Sequence, residues 1–264
     1  MGQEVKDKIL REVRKDFLQE QLLGGKRFDD RALDEWRAIE IQKGVINTAE
    51  GSALANIGGS KVLAAVKFDL MTPFPDRPDE GAFITNAEFV PMASPGFEPG
   101  PPNETCIELA RVVDRGIRSS EVIDVSSFFV EQGKVLGLFL DLWILDHKGN
   151  LTDTAALAAC AALLDTKLPK VENGKIIRGV GTKSLEMKYR PLTTTFIKVG
   201  KNFLLDASQD EEYAKDMTFT VGTVEGMISS IQKSGAGGLS KDEVMNCVDV
   251  ALKKSDELRR HLQK

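Results

Sequence analysis

The chain has 264 residues, 42% of them hydrophobic and 28% charged, and a formal net charge of -5. That length suits one large domain or two tightly packed halves, and the composition is globular rather than disordered. No apolar run nears the roughly 18 residues of a membrane span. An acidic chain does not coat nucleic acid by bulk electrostatics, so any such contact has to be local.

The N-terminal run is charged throughout and has no apolar core, so no secretory signal is expected there. Val5, Ile9, Val13 and Phe17 recur every four residues, which predicts an amphipathic helix over 4–23, closed by Gly24-Gly25. A polar stretch, 26–35, comes next. Strand signals follow at 38–41, 44–46, 53–57 and 61–68, the last two joined by the hairpin dipeptide Gly58-Gly59. Pro91, Pro95, Pro99, Pro101 and Pro102 are half of the 10 prolines, so 91–102 is a long loop.

Residues 104–118 read as a helix capped by Asn103, with Cys106, Leu109, Val113 and Ile117 on its apolar face. Strands are expected at 125–130 and 135–145, a turn at 147–150, and a close-packing Ala-rich helix at 152–164. Residues 169–181 read as a connection with a hairpin of its own. Strand pairs 194–199 with 202–205 and 217–223 with 226–231 follow. A Gly-rich turn at 234–238 leads to the capping box Ser240-x-x-Glu243, which starts a last helix carrying Val244, Val248 and Leu252 on one face. Strands followed by a helix, twice over, predict two related α+β halves packed together.

Cys106, Cys160 and Cys247 are odd in number, widely spaced and set in apolar stretches. They read as reduced core thiols of a cytoplasmic protein. With only two histidines, His147 and His261, neither a His-rich zinc site nor a Ser-His-Asp triad is expected. No metal or cofactor is predicted.

Four constellations can carry chemistry. Arg111, Arg115 and Arg118 lie at i, i+4 and i+7 on the 104–118 helix, one narrow stripe opposite its apolar face. Arginine forks bond phosphate oxygens bidentately, so the stripe can track a nucleic-acid backbone. The plainer reading is a salt-bridged helix in which Glu108 pairs Arg111 and Asp114 pairs Arg118. The acidic segment 206–217 offers paired carboxylates for acid–base or Mg²⁺ chemistry, against a solvated hairpin connection. Residues 234–240 look like a phosphate cradle but lack the P-loop pattern. The turn 146–153 leads into a helix N-terminus suited to an anion, although Asp153 fills it with its own carboxylate.

Taken in order, Arg27-Phe-Asp-Asp-Arg31, the run 51–66 beginning Gly51-Ser-Ala, Glu108-Leu-Ala-Arg-Val-Val-Asp-Arg115 and Leu145-Asp-His-Lys-Gly-Asn-Leu-Thr-Asp153 resemble the RNase PH family of phosphate-dependent 3′→5′ exoribonucleases. The similarity runs from about residue 4 to 262 and is greatest to the non-catalytic RNase PH-like subunits of the archaeal exosome. The fold that this resemblance implies is α+β: two related halves, each a mostly antiparallel sheet with packed helices, the first similar to ribosomal protein S5 domain 2. The implied division is an N-terminal helix and lead-in at 1–30, a first half at 31–168 and a second at 169–264. Catalytic members carry paired arginines and a Ser and Glu where this chain reads Asn103-Glu-Thr-Cys-Ile-Glu108. Their phosphate-binding Gly-[Ser/Thr]-Arg turn is here Gly149-Asn-Leu-Thr-Asp153, with no arginine and an added carboxylate. The spacing of Asp210 and Asp216 resembles the family's catalytic pair. Without the phosphate-binding arginine they are expected to be remnants or structural; the alternative is a chain that is itself a phosphorolytic exoribonuclease using them.

The resemblance further implies a hetero-hexameric ring of three non-catalytic and three catalytic subunits, RNA-binding cap subunits, and single-stranded RNA in the central channel. Arg111 and Arg115 are then the first choices for RNA-backbone contact, with Arg118 behind them.

Overall fold

The computed structural model describes residues 17–263. Of the helix expected over 4–23, residues 17–23 are helical and end at Gly24-Gly25; positions 4–16 lie outside the described residues.

The first sheet contains β1 (Ile39–Lys43), β2 (Gly51–Ile57), β3 (Ser60–Met71), β4 (Ala82–Phe89), β5 (Phe129–Glu131) and β6 (Lys134–Asp146). Its order is β1-β2-β3-β6-β4, with β5 added against β6. All pairs are antiparallel except β4 with β6. Gly58 and Gly59 join β2 to β3 at φ +56 and +99, the left-handed backbone that a two-residue hairpin demands.

Two strand expectations are corrected. Residues 44–46 are not a strand: Gly44 turns at φ +67 and donates its N–H to Ser52 O, closing the link between β1 and β2. The fourth long strand is instead β4, whose Phe83 and Ala87 are buried while Thr85, Asn86 and Glu88 break up its apolar pattern. The expected strand 125–130 is mostly a 3₁₀ turn, Val125–Phe128, leaving only the short β5.

Helix α1 (Glu104–Arg118) starts as expected: the Asn103 side chain accepts from Cys106 N at 2.9 Å. It buries Cys106, Leu109, Val113 and Ile117, and it packs against β4. Helix α2 (Leu151–Asp165) is buried from Asp153 through Leu163. It lies between β2 and β3 on one side and β9 (Leu192–Val199) on the other. A helix wet on no side needs small residues where backbones approach closely, and its run of alanines supplies them.

After the hairpin of β7 (Lys167–Glu172) and β8 (Lys175–Ser184), the second sheet runs β10-β9-β11-β12. Its remaining strands are β10 (Asn202–Leu205), β11 (Met217–Val224) and β12 (Met227–Gly235). All its pairs are antiparallel. Short α3 (Gln209–Tyr213) links β10 to β11, and α4 (Lys241–His261) covers β9 and β11. β9 is therefore helix-covered on both faces, which explains why every residue in it but Lys198 is buried. One hydrophobic cluster spans both sheets, from Val62 and Leu140 through Leu157 to Phe219 and Leu258.

Candidate nucleic-acid interface

Helix α1 sorts its three arginines by partner. Arg118 is held back: Nη2 lies 2.9 Å from Asp114 Oδ1, Nε lies 3.2 Å from Oδ2, and Nη2 also donates to Phe83 O at 2.7 Å. Its guanidinium sits 5.5 Å over the Phe83 ring. The expected Asp114–Arg118 pair thus forms. The expected Glu108–Arg111 pair does not. Arg111 and Arg115 are exposed, and among the described residues neither side chain makes a hydrogen bond or ion pair. Half-exposed Ile107 lies one turn before Arg111. This face presents two unneutralised guanidinium forks beside an apolar side chain, which suits a phosphodiester backbone.

The start of α2 is arranged oppositely. Gly149 at φ +92 and Asn150 at φ +53 turn the chain into the helix. The turn is fixed by Ser60, whose hydroxyl donates to Gly149 O at 2.6 Å and accepts from Lys148 N at 2.8 Å. A helix N-terminus favours an anion, and this one is served by the protein's own carboxylates. Glu212 accepts from Asn150 N at 2.8 Å. Fully buried Asp153 accepts from the hydroxyls of Thr193 and Thr195, from Thr195 N and from Asn150 Nδ2, at 2.7 to 3.0 Å. Burial pushes the Asp153 and Glu212 carboxyls up, against these hydrogen bonds. Buried Asp206 takes Asn150 Nδ2 at 2.8 Å and three N–H bonds from Arg37 at 2.7 to 2.9 Å. Burial opposes its charge, but Arg37 outweighs burial and holds the carboxyl below the usual range. Glu212 thus takes the free N–H at the helix start, whereas Asp153, expected to fill that end, is turned to the threonines of β9 and, with Asp206, stands behind the Asn150 side chain.

The acidic segment 206–217 is only partly the solvated connection expected. Asp206 and Glu211 are buried. Arg27 and Glu211 form a two-pronged pair at 2.9 and 2.7 Å, and Arg27 also donates to Leu205 O and Asp206 O. The Arg27-Phe-Asp-Asp-Arg31 motif is therefore an anchor that clamps the lead-in onto the second sheet. Sequence reasoning missed Arg37, Asp206, Glu211 and Glu212, because no local pattern marks partners so far apart in the chain. Asp210 and Asp216 are exposed. Asp216 Oδ2 accepts from Gly200 N at 2.7 Å, tying down the turn between β9 and β10. Of residues 234–240, Ser234 and Gly235 end β12 and only 236–240 form the open link into α4, where Ser240 and Glu243 complete the capping box.

Between α1, the start of α2 and the second sheet lies a cleft of about 190 Å³. Neither Asp210 nor Asp216 lines it. One wall is an aromatic stack: Phe89 on Phe97 at 4.3 Å, and Phe97 on His147 at 5.6 Å, the latter rings 5° from parallel. Burial first, then the cations Lys148, Lys215 and Arg37, push the His147 imidazole below its usual range.

The chain is similar to known proteins along nearly its whole length. The 3′ exoribonuclease family matches in both its parts, domain 1 over residues 35–169 and domain 2 over 189–254. The chain is 46% identical over 260 residues to the exosome complex component Rrp42 of Thermococcus gammatolerans, covering 96% of this chain and 95% of that protein. Among solved structures it is similar to a chain of the Archaeoglobus fulgidus exosome with RNA bound to the active site. That match has a TM-score of 0.89 and 42% identity over 96% of this chain and 98% of that one. It also resembles a chain of an archaeal exosome core, with a TM-score of 0.88 and 37% identity over 98% of this chain and 100% of that one.

Proposed function

The chain belongs to the RNase PH family of 3′ exoribonucleases, and from that membership we propose that it is a non-catalytic subunit of an archaeal RNA exosome. It pairs with a catalytic RNase PH-like subunit in a hetero-hexameric ring, three of each, which carries RNA-binding cap subunits and degrades single-stranded RNA from the 3′ end. Its work is to grip the RNA backbone and to shape the partner's active site. The first half of the fold ends near residue 168 and the second begins at 169, after a lead-in to residue 30. The cytoplasm suits this role and the three buried free thiols, Cys106, Cys160 and Cys247.

One observation carries the reading. The start of α2 is occupied by the protein's own Glu212, with Asp153 and Asp206 held against the Asn150 side chain beside it, while Arg111 and Arg115 on α1 stand unpaired. Phosphorolysis requires inorganic phosphate to be held beside the scissile bond, and three carboxylates oppose a multiply charged anion there. The free guanidinium groups suit a backbone grip that reads no bases.

Incubation with single-stranded RNA and inorganic phosphate tests this. The chain alone is expected to leave RNA intact, and the mixture with its catalytic partner to release nucleoside diphosphates. Release by the pure chain overturns the reading and makes Asp210 and Asp216 the groups to mutate.

A further inference from the structure

One face of the first sheet has no cover among the described residues. Helices α1 and α2 both lie on the side of Val62, Phe83, Ala87 and Leu140, which join the larger hydrophobic cluster. Strand alternation turns Leu54, Leu63, Ile84, Phe139 and Trp143 to the other side. None of these five belongs to or packs against a hydrophobic cluster, and Trp143 is 42% exposed. Register makes them neighbours: Leu54 stands beside Leu63, Leu63 beside Trp143, and Phe139 beside Ile84. A sheet with one wet face ordinarily carries polar residues there. A contiguous apolar patch with a charged rim marks a protein–protein contact instead.

Two charges on the rim are unspent. Lys61 on β3 and Glu88 on β4 are exposed, and among the described residues neither side chain makes a hydrogen bond or ion pair. They flank Trp143, because β6 runs between β3 and β4 and Glu88 is level with Trp143. This arrangement is self-complementary. A two-fold axis in the contact plane that sets Lys61 over Glu88 of a second copy also sets Glu88 over that copy's Lys61. The same axis passes close to Trp143, which then meets its own counterpart at the centre of the contact, where an aromatic anchor contributes most. The patch crosses four strands and about six residues along them, roughly 300–400 Å² on each copy. That is less than the roughly 800 Å² per partner of a standard stable complex, so the contact is a reversible one.

We propose that the outer face of the first sheet is a homodimer contact, sheet on sheet, with Trp143 at its two-fold axis and Lys61–Glu88 ion pairs across it. Helix α1 lies on the opposite side of the sheet, so Arg111 and Arg115 stay open in the dimer. The contact goes beyond the RNA-handling reading and does not rest on it.

Sedimentation equilibrium of the full chain from about 1 μM to 1 mM tests the proposal. A concentration-dependent monomer–dimer equilibrium is expected, with acrylamide quenching of Trp143 falling as the dimer forms; the other tryptophan, Trp36, is buried and contributes little. Trp143→Lys and Lys61→Glu are each expected to weaken dimerisation about ten-fold or more. Their melting temperatures are expected to stay unchanged, because both side chains stand clear of the hydrophobic clusters. Lys61→Glu combined with Glu88→Lys is expected to restore the dimer, since the exchanged charges meet again across the axis. Four results overturn the proposal: the chain stays monomeric throughout, the dimer survives Trp143→Lys, the double charge exchange fails to restore it, or Trp143 is shielded only when the catalytic subunit or single-stranded RNA is added. The phosphate-dependent RNA assay is read separately, so the dimer can fail while the exosome reading stands, and the reverse.

Discussion

Arg111 and Arg118 lie two turns apart on the same stripe of α1, and their neighbours give them different fates. Arg118 is tied to Asp114 and to Phe83 O, whereas Arg111 faces solvent unpaired. Arg111→Ala in the assembled complex is therefore expected to weaken RNA binding about equally on all sequences and to lower the salt slope by about 1, measured as affinity against salt concentration. Arg118→Ala is expected to leave that slope nearly unchanged and, being an exposed pair, to cost less than about 1 kcal/mol in denaturant unfolding. The carboxyls around Asn150 titrate in opposite senses. Asp206 is held below its ordinary range, so its contribution is full above the unfolded value of about 3.9 and is lost as pH falls through the folded value. Asp206→Asn should destabilise most at neutral pH, and its melting curve should converge on that of the parent in strong acid. Glu212 is raised, so its ionisation costs stability as pH climbs past about 4.3. Glu212→Gln should melt higher than the parent at pH 7 and equal to it below about pH 4. Equal melting shifts with pH for the two variants would contradict these assignments.

At the scale of elements, α2 decides the architecture. It touches both sheets, and its alanines leave no room for larger side chains. Ala158→Leu is expected to cost about 1–3 kcal/mol by overpacking, read as a lower urea midpoint. The same closeness appears at Gly51, where a Cβ would overlap Thr166 Oγ1 and the Ala162 carbonyl. The Arg27–Glu211 pair clamps the lead-in to α3 with almost no water access. Removing one partner strands a buried charge, so Glu211→Ala should cost about 3–5 kcal/mol.

The larger of two hydrophobic clusters among the described residues runs through both halves. Residues 169–264 carry the second sheet and α4 but not α2, which covers β9. A fragment of residues 169–264 is therefore expected to show unfolded amide chemical shifts, while the full chain unfolds in a single transition.

What the sequence determined by itself lies within a few residues of its cause. The cap of Asn103 on Cys106, the Ser240 and Glu243 box, the Gly58-Gly59 hairpin and the apolar stripe of α1 each follow from contacts at most four positions apart. The same periodicity placed Arg111, Arg115 and Arg118 on one face, and the motifs of the RNase PH family marked the fold. Spacing foresaw the hold of Asp114 on Arg118, but the tertiary structure decided that Arg111 stays free of Glu108 and added to Arg118 the carbonyl of Phe83, on a strand that the apolar pattern did not reveal. It alone turned the acidic connection into an ionic node, joining Arg27 to Glu211 across 184 positions and Arg37 to Asp206 across 169. The physical reason is range: backbone geometry and capping act over one helical turn, whereas a buried charge takes its partner from whichever segment the packed core brings beside it.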